Sequence, residues 1–448
     1  MSNLGFQSLY HRLALFHGLQ VHRYFMEQGN TLFSPDLRGP QGLRGNDVLF
    51  FSVSFELDYR HMLHMLKGAA IPLLGNERGK GDPLVVVGGI TVTANPLVLR
   101  PFADAVCRGD MEMSLSQLVE RMLEHEFRRD SGLLDSIAEL PGVYVPAVHG
   151  ADPVPRVLLK RIVEPAHSVI LTRNTEFSDR VLIEIGRGCR NTCRFCMTRC
   201  VNNPLRTVPP AGVREILDRA VELTDRVGLV APVLTDHRDL APMVREMNDR
   251  GLTVSFSSLR ADDFDDEVAD LLKRNGQRTV TFAPETGTTT FRRRMGKGLS
   301  DEQLLHAVSA GLDHGIRRFR YYFMYGLPGE GEEDIDAVAH LARETVRRFG
   351  KTRAELFLSI NPFVPKRGTD LEDQGLYPLT YYEEVQHTLQ QTLGAIERVR
   401  CRFESLKQLH LHYYLSVGNE QVGALLGSCV KKGSYRNFAE AAARIMGN

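Results

Sequence analysis

The stretch that decides the fold is residues 184–196, which read EIGRGCRNTCRFC. It follows an apolar strand candidate and carries three cysteines, Cys189, Cys193 and Cys196, separated by three and then two residues. Thiolates spaced this closely in one loop can hold one face of a metal cluster, and arginines beside them should lower the thiol pKa values and offset anionic charge. Gly188 allows a tight turn before the first cysteine. The arginines are Arg187, Arg190 and Arg194.

Composition describes a globular chain and limits its partners. Its 448 residues predict two to four domains. Fifty-five Lys and Arg residues balance 55 Asp and Glu residues, so no net field attracts a polyanion and a nucleic-acid partner is not supported. Hydrophobic residues at 43% and charged residues at 25% argue against disorder and against a collagen-like chain.

The seven cysteines point to a metal site rather than to disulfides. Four of them, the three above and Cys200, fall within residues 189–200. Clustered thiols of this kind are typical of metal-binding proteins in a reducing compartment. The N-terminus lacks a signal-peptide pattern, and no stretch approaches the roughly 18 apolar residues of a membrane span. We therefore expect a cytoplasmic chain with no membrane partner.

Apolar runs alternate with helical patterns from about residue 179 onward. Such alternation predicts parallel strands with intervening helices, here a partial (β/α)6 barrel that is preceded by a smaller Rossmann-like parallel sheet. The six barrel strands expected are VLIEIGR, RVGLVAPVL, TVSFSSL, TVTFAPE, FRYYFMYG and AELFLSINPF. The strands expected in the first sheet are LQVHRYFM, DVLFFSVSF and DPLVVVGGI.

These patterns predict four regions in an α/β chain. Residues 1–150 form the Rossmann-like domain, and a proline-rich linker follows at 151–178, because prolines end helices and favour extended connections. The barrel occupies residues 179–370. Helical periodicity predicts a mainly helical C-terminal extension over residues 371–448.

The cysteine loop has two interpretations. In a zinc site, Cys200 would be the fourth ligand, since structural zinc is closed and four-coordinate. Zinc sites more often show two paired cysteine or histidine hairpins, and no second pair is visible. The three-then-two spacing, the aromatic Phe195 before the third cysteine and the preceding strand together resemble the radical S-adenosylmethionine (SAM) superfamily.

That resemblance implies both cofactors and chemistry. Cys189, Cys193 and Cys196 would ligate three irons of a [4Fe-4S] cluster, whose fourth iron binds SAM. An electron from a donor such as flavodoxin or ferredoxin would cleave SAM to methionine and a 5′-deoxyadenosyl radical, which abstracts hydrogen from a substrate. The cofactor carries the chemistry, while the protein supplies position and excludes water.

Polar residues at the ends of later strands fit the same resemblance. In the superfamily, side chains placed like Ser257, Ser258 and Arg260 approach the ribose or methionine part of SAM. Glu285 ends the next strand, where a carboxylate can bind ribose hydroxyls. Ordinary strand-end capping, or an N-cap or surface role for Glu285, is the alternative.

The segment FMYGLPGE, residues 323–330, resembles the glycine-rich strand end that lies against the adenine of SAM. Gly326 and Gly329 would allow close backbone approach. With Phe195, these positions complete the expected cofactor-binding set. The usual Gly-Gly-Glu after the second strand, which contacts the SAM amino group, has no counterpart, because 231–233 reads Ala-Pro-Val. The candidates nearby are Thr235 and Asp236.

An ordered set of segments resembles the branch of radical SAM proteins that carries a cobalamin-binding-type domain before the barrel. Cobalamin is therefore a further candidate cofactor, although the Asp-x-His-x-x-Gly signature of base-off binding is absent. The family pattern also places a central strand before the first residue here. Either the start is assigned too late or the domain is truncated, and in either case we expect a sheet without this strand to bind a corrinoid poorly. The segments are MSNLGFQSLYHRL, FFSVSFELDYRHMLHML, PLVVVGGITVTANP, ADAVCRGDMEMS, SLRADDF, FAPETGT, YYFMYGLPGE and INPFVPK.

The sequence thus predicts a radical SAM enzyme acting on an unidentified small molecule or peptide, with no catalytic residue assigned. The alternatives are a cobalamin-dependent radical SAM methyltransferase and a non-catalytic metal-binding module. Lys366, Arg367 and His412 could face the barrel mouth and bind an anionic group, or form a solvated surface. Cys200 reads as a spare thiol, with a hydrogen-donor or ligand role as the alternative. Three further cysteines have no cysteine pair nearby in sequence, so a second Fe–S cluster would need them to meet by tertiary contact: Cys107, Cys401 and Cys429.

Overall fold

The computed structural model describes residues 3–27, 31–36, 42–257 and 259–447. Its internal contacts divide the chain into two compact units, which interleave along the sequence. We call them the N-terminal unit and the barrel unit. The N-terminal unit comprises the described residues of Ser8–Lys160, Pro365–Asp373 and His410–Asn448. The barrel unit comprises those of Met1–Gln7, Arg161–Val364 and Gln374–Leu409.

A small sheet organises the N-terminal unit. Its strands pair in chain order; β3, β4 and β5 are parallel, and β6 runs antiparallel to β5. Apolar residues of β4, among them Val86, pack with Leu118 and Leu133 of flanking helices in a buried core. The strands of this sheet are β3 Val48–Ser52, β4 Leu84–Gly88, β5 Ala105–Cys107 and β6 Val143–Tyr144. Two further strands form a separate pair, β1 Phe25–Glu27 and β2 Thr31–Phe33. The helices are α1 Leu4–Ala14, α2 Tyr59–Gly68, α3 Ile90–Ala94, α4 Leu115–Glu124, α5 Ser131–Ala138 and α6 Pro146–His149.

Two of the three strands expected in this sheet form as predicted. DVLFFSVSF contains β3 and DPLVVVGGI contains β4, which pair in parallel over five residues. The prediction for LQVHRYFM is wrong: only its last two residues are in a strand, and that strand pairs with β2 in a short antiparallel hairpin. The described sheet has no reversal of strand order, the feature at which doubly wound folds form their ligand crevice.

Parallel strands also organise the barrel unit, and all six predicted strands are confirmed. Together with a seventh strand, β15, they form two runs, β7–β10–β11 and β12–β13–β14–β15, in which every pairing is parallel. A short antiparallel pair, β8 with β9, follows β7. The strands are β7 Val181–Glu184, β8 Gly186–Arg187, β9 Arg206–Thr207, β10 Arg226–Val230, β11 Thr253–Phe256, β12 Thr279–Glu285, β13 Arg318–Tyr325, β14 Glu355–Pro362 and β15 Val399–Phe403.

Alternating burial explains why these segments are strands. Along β13 the residues Phe319, Tyr321, Phe323 and Tyr325 are buried while their neighbours are more exposed, the period of two that a half-buried strand requires. Helices lie between the strands, and one of them begins at a capping box at Ser300. These helices are α7 Met197–Asn202, α8 Pro210–Ala220, α9 Leu240–Asp249, α10 Asp266–Arg274, α11 Thr289–Arg294, α12 Asp301–Asp313, α13 Glu332–Phe349 and α14 Leu379–Gly394.

The segment after residue 371 is mainly helical, as predicted, but it is shared between the two units. Its first part, Gln374–Leu409, adds α14 and the strand β15 to the barrel unit. Its last part belongs to the N-terminal unit, where α16 packs against α2. Among the described residues, no helix is both long and apolar enough to span a membrane. The last helices are α15 Leu409–Val417, α16 Glu420–Lys432 and α17 Phe438–Met446.

Candidate functional site

The cysteine loop begins where β8 ends and is closed by the segment that precedes β9. Gly188 has a left-handed φ of 76°, and a Cβ atom there would lie 2.5 Å from the carbonyl oxygen of Pro204, so only glycine fits. The backbone N–H of Cys189 donates to Asn203 Oδ1 at 2.7 Å. The sequence therefore builds a rigid turn that holds the first thiol at the end of the first barrel strand.

All three predicted ligands are free thiols in this loop. Cys189 and Cys193 are buried and Cys196 is half-buried. The backbone N–H and the side-chain amide of Asn191 donate to Cys189 Sγ at 3.5 and 3.2 Å. Burial raises the pKa of Cys193 to about 11, against the opposing effect of the nearby ammonium of Lys297, and burial also raises the pKa of Cys196.

The expectation that arginines of the loop lower these thiol pKa values is wrong for Cys193 and Cys196. Arg187 pairs with Glu184 at 2.8 Å, and Arg190 pairs with Asp236 at 2.7 Å and with Asp263. Because carboxylates already hold these guanidinium groups, desolvation of the thiols is the stronger effect.

The donor set is the observation that tests which metal group fits. Three thiols of one loop suit a cluster in which each thiolate binds a different iron. Among the described residues, no group of three or more His, Cys, Asp or Glu side chains lies close enough together to hold a single metal ion. Cys200 lies on α7, with Arg199 Nη1 3.4 Å from its Sγ. By donor chemistry, the three cysteines of the loop fit an iron–sulfur cluster.

A second segment, residues 295–297, packs directly on the cysteine loop, and no sequence motif indicated it. The backbone N–H of Arg194 donates to the Met295 carbonyl at 3.0 Å. Gly296 has a φ of 75°, and a Cβ atom there would lie 2.2 Å from the carbonyl oxygen of Thr192. The close approach brings Lys297, which is 9% exposed, into the surroundings of Cys193. Its Nζ lies 3.4 Å from Glu285 Oε1.

Glu285 ends β12 with an unusual backbone. Its φ of 73° is left-handed, and the pairing of β12 with β13 shifts register between Phe282 and Glu285. A non-glycine residue in this conformation is strained, and such strain tends to cluster at functional sites. Burial raises the pKa of the Glu285 carboxyl, and the Lys297 ammonium partly offsets this rise. The predicted carboxylate is thus brought next to the cysteine loop.

The residues predicted at the end of β11 are only partly placed. Ser257 is exposed, and Ser258 lies outside the described residues. Arg260 has a 9% exposed side chain that donates to Asp262 at 2.8 Å through Nε, and its charge acts on Cys193. Phe195 is half-buried within the cysteine loop.

Both candidates for the SAM amino group after β10 have partners within the barrel unit. The Asp236 side chain is 1% exposed and ion-paired with Arg190, and burial raises its pKa. The Thr235 hydroxyl donates to Asp263 at 3.3 Å. A cavity of about 480 Å³ opens beside them, bordered by Thr235, Asp263 and His306. A volume of this size is typical of small-molecule sites.

The glycine-rich loop after β13 is enclosed by aromatic residues that sequence reasoning missed. Gly326 has a φ of 81°, and a Cβ atom there would lie 2.4 Å from the Tyr382 ring. Glu330 accepts hydrogen bonds from the Gly326 backbone N–H at 2.6 Å and from the Tyr381 hydroxyl at 3.3 Å. Burial raises the Glu330 pKa to about 7. Gly329, at φ 78°, lies against Arg294.

Two residues predicted to bind an anion contact a carboxylate of the chain. In the N-terminal unit, Lys366 Nζ lies 2.7 Å from Glu56 Oε2, and His412 Nε2 lies 3.1 Å from the same oxygen. Glu56 is 4% exposed, and despite its burial these partners lower its pKa to about 2. Lys366 and His412 therefore form an internal ion cluster; the prediction for Arg367 stays open.

Two family models match the chain. The model described as "Radical SAM superfamily" matches residues 183–342, and the model described as "Radical SAM proteins, N-terminal" matches residues 5–146. The chain belongs to the radical SAM superfamily. Radical SAM enzymes use a [4Fe-4S] cluster and SAM, the cofactors that the cysteine loop predicts.

The chain is also similar to individual proteins. An uncharacterized protein of Methanocaldococcus jannaschii is 24% identical over 430 residues, which cover 95% of this chain and 87% of that protein. An uncharacterized methyltransferase of Pyrococcus horikoshii is 25% identical over 286 residues, 58% of each chain. A solved structure with a similar fold is the radical S-adenosylmethionine methyltransferase TsrM from Kitasatospora setae, with tryptophan substrate and the SAM analog aza-SAM bound. Its TM-score to this chain is 0.54 and its sequence identity is 15%, and the match covers 90% of this chain and 88% of that chain. The likeness to TsrM shows a shared fold.

Proposed function

We propose that Cys189, Cys193 and Cys196 hold the [4Fe-4S] cluster of this radical SAM enzyme. The observation that supports this most directly is the packing of residues 295–297 on the cysteine loop, which brings the Lys297 ammonium into the surroundings of Cys193. Active sites of barrels lie at the carboxyl ends of their strands, where these loops lie.

SAM offers a carboxylate, an amino group, ribose hydroxyls and an adenine to such a site. Lys297 is the cation for the carboxylate, and Glu285 is the acceptor for ribose hydroxyls. The backbone of residues 326–330 would face the adenine, as the sequence predicts. Arg260, Ser257 and Phe195 stay predictions for the same cofactor site.

When bound and reduced, the cluster supplies the electron that cleaves SAM and starts radical chemistry on the substrate. The chain's own part is to orient SAM and to keep water from the thiols, which the burial of Cys189 and Cys193 supports. We expect the electron to come from flavodoxin or ferredoxin, and the substrate to be a small molecule or a peptide. We also propose a cytoplasmic location, because clustered cysteines of a metal site are typical of reducing compartments.

The test is anaerobic reconstitution of the wild-type chain and of four single variants. Cys189→Ala, Cys193→Ala and Cys196→Ala should each lose most of the iron, the sulfide and the absorbance near ~400 nm that comes from sulfur-ligated iron. Cys200→Ala is the matched control, because it removes a thiol of the same segment that lies outside the proposed ligand set. It should retain the cluster.

Each other result has a defined meaning. Retention of iron in all three loop variants would contradict the assignment. One zinc per chain without sulfide would favour the non-catalytic metal module. Loss of metal in Cys200→Ala would favour the alternative in which Cys200 is the fourth ligand of a four-cysteine site. Formation of 5′-deoxyadenosine with dithionite in the wild type, and its absence in the loop variants, tests the reaction itself.

Cobalamin-dependent methyl transfer is a second candidate function. It is favoured by the likeness to TsrM over most of the chain and by the methyltransferase relative. The described N-terminal unit opposes it, because the loops after its three parallel strands are tied to other segments of the unit. Glu56 contacts Lys366 and His412 after β3. Asn95 Nδ2 donates to the carbonyls of Ser416 and Gly418, the first at 3.0 Å.

The third loop is closed in the same way. Gly109, after β5, bridges to Val157, and a Cβ atom there would lie 1.9 Å from the Val157 carbonyl oxygen. Together with the missing Asp-x-His-x-x-Gly signature, these contacts do not fit a corrinoid, and we derive no step through one. Purification after growth with hydroxocobalamin tests this: retained cobalamin and S-adenosylhomocysteine as a coproduct would support the methyltransferase instead.

A further inference from the structure

Arg292 is a completely buried arginine on α11. In sequence it lies between Glu285 and Lys297, the two site residues near the cysteine loop. Its side chain is 0% exposed. Nε donates to the Thr286 carbonyl at 3.1 Å, Nη2 to the Gly287 carbonyl at 2.8 Å and Nη1 to the Leu299 carbonyl at 2.8 Å. Nη2 also pairs with Asp301. The planar guanidinium thus spans two separate turns of backbone, which no shorter or single-pointed cation can do.

These two turns carry the site residues. Thr286 and Gly287 directly follow Glu285, whose left-handed φ of 73° must be held by its surroundings. Leu299 follows Lys297 by two positions, and the backbone N–H of Lys297 donates to the Arg292 carbonyl at 2.8 Å. A displacement of the Arg292 side chain would therefore release both turns at once.

We propose that Arg292 is a positioning residue of this active site, whose guanidinium fixes Glu285 and Lys297 relative to each other and to the cysteine loop. The inference rests on the proposed function, since it is SAM that these two residues would bind. Burying a charged guanidinium costs free energy. The backbone carbonyls that accept its hydrogen bonds all belong to the two turns beside Glu285 and Lys297. The Arg292 guanidinium contacts backbone carbonyls and Asp301, so it would act on SAM only through the residues that it positions.

The test compares Arg292→Lys with Arg78→Lys. Arg78 is a matched control in the N-terminal unit: it is also buried, and it also pairs with an aspartate and a backbone carbonyl. Both variants should lower the melting temperature. Only Arg292→Lys should raise the SAM dissociation constant of the reconstituted protein, by at least tenfold, because lysine retains the charge but loses the fork that spans both turns.

A second measurement uses the cluster-free protein. Since residues 295–297 cover the loop at Thr192, loosening them should increase the rate of Cys193 alkylation by iodoacetamide at least threefold in Arg292→Lys and leave it unchanged in Arg78→Lys. If Arg292→Lys does not fold, Asp301→Asn removes the guanidinium's charged partner and should weaken SAM binding severalfold.

Two results would overturn the inference while leaving the proposed function intact. One is an Arg292→Lys protein with wild-type iron content and a SAM dissociation constant within twofold of the wild type. The other, where only Asp301→Asn folds, is unchanged SAM binding in that variant. A wild-type protein that assembles the cluster but does not bind SAM would overturn both proposals.

Discussion

Lys297 lies buried between a carboxylate and a cysteine, so its charge should matter for the ligand more than for the fold. Lys297→Met removes the one cation that residues 295–297 bring to the loop. Charge-assisted hydrogen bonds contribute about 1.5–3 kcal/mol, so we expect SAM to bind at least about tenfold more weakly. Isothermal titration under anaerobic conditions measures this.

An exposed lysine of the same unit provides the control for Lys297. Lys273, near the end of α10, has no place in the site, and Lys273→Met should leave the SAM dissociation constant unchanged. Equal affinities in the wild type and in Lys297→Met would show that the lysine serves only to neutralise Glu285.

Glu330 gives the protein a pH dependence that opposes ordinary acid denaturation. Its pKa is raised from 4.5 to about 7, so the folded state binds a proton more tightly than the unfolded state. Its contribution is present in full below pH 4.5 and is lost as the pH rises through 7, up to about 3 kcal/mol. Glu330→Gln retains an acceptor for the Gly326 N–H. It should remove the decrease in the free energy of unfolding that Glu330 causes between pH 5 and 8. Urea unfolding at several pH values measures it, and identical pH profiles of the two proteins would contradict the assignment.

For single residues, the sequence identifies those whose role can be recognised from their spacing to close neighbours. It does not identify residues that only folding brings together. The three cysteines stand within one loop, so their spacing alone indicates them. Lys297 comes 101 positions after Cys196, and only the close contact of Gly296 with Thr192 brings it there. Glu330 is adjacent to a recognised glycine motif, yet its partner Tyr381 arrives from α14.

Among the elements, the turn at residues 295–297 should be the most sensitive to small changes. Gly296→Ala would place a Cβ atom 2.2 Å from the Thr192 carbonyl and force a left-handed φ on alanine, so the turn must move off the cysteine loop. We expect at least half of the cluster iron to be lost after reconstitution. Gly298→Ala is the matched control, since no atom lies within 4 Å of a Cβ there and its φ is not left-handed. Equal iron content in both variants would show that the contact is dispensable.

Strand prediction succeeded where burial alternates or is continuous and failed where it does not. β12, β13 and β14 alternate strictly between more buried and more exposed residues, which is the signal that sequence reasoning reads. β15 reads VRCRF with no buried residue, because it lies at the edge of its sheet, so its pattern resembled a polar continuation of α14. LQVHRYFM has an apolar composition but pairs only in a short hairpin.

The whole molecule is assembled from segments far apart in sequence, which sets the limit of domain prediction. The N-terminal unit includes Pro365–Asp373 and the last helices, and Glu56 meets His412 across 356 positions. In the sequence, no change of composition and no proline-rich linker indicates that these late segments belong to the N-terminal unit. A linear division at residues 150, 178 and 370 therefore describes the order of the motifs but divides the C-terminal segment differently from the observed units.

The ion cluster of Glu56, Lys366 and His412 should hold the returning segments in the N-terminal unit. Because the Glu56 pKa is lowered from 4.5 to about 2, its contribution is present above pH 4.5 and lost as the pH falls toward 2. At pH 7 we expect Glu56→Gln to cost about 3 kcal/mol, and hydrogen exchange in α15 and α16 to accelerate, as measured by mass spectrometry of the whole protein. Glu77→Gln breaks an exposed pair with Lys431 and should cost under about 0.5 kcal/mol. If exchange rises equally in the barrel strands, Glu56 stabilises the protein as a whole; if it rises nowhere, the cluster holds neither segment.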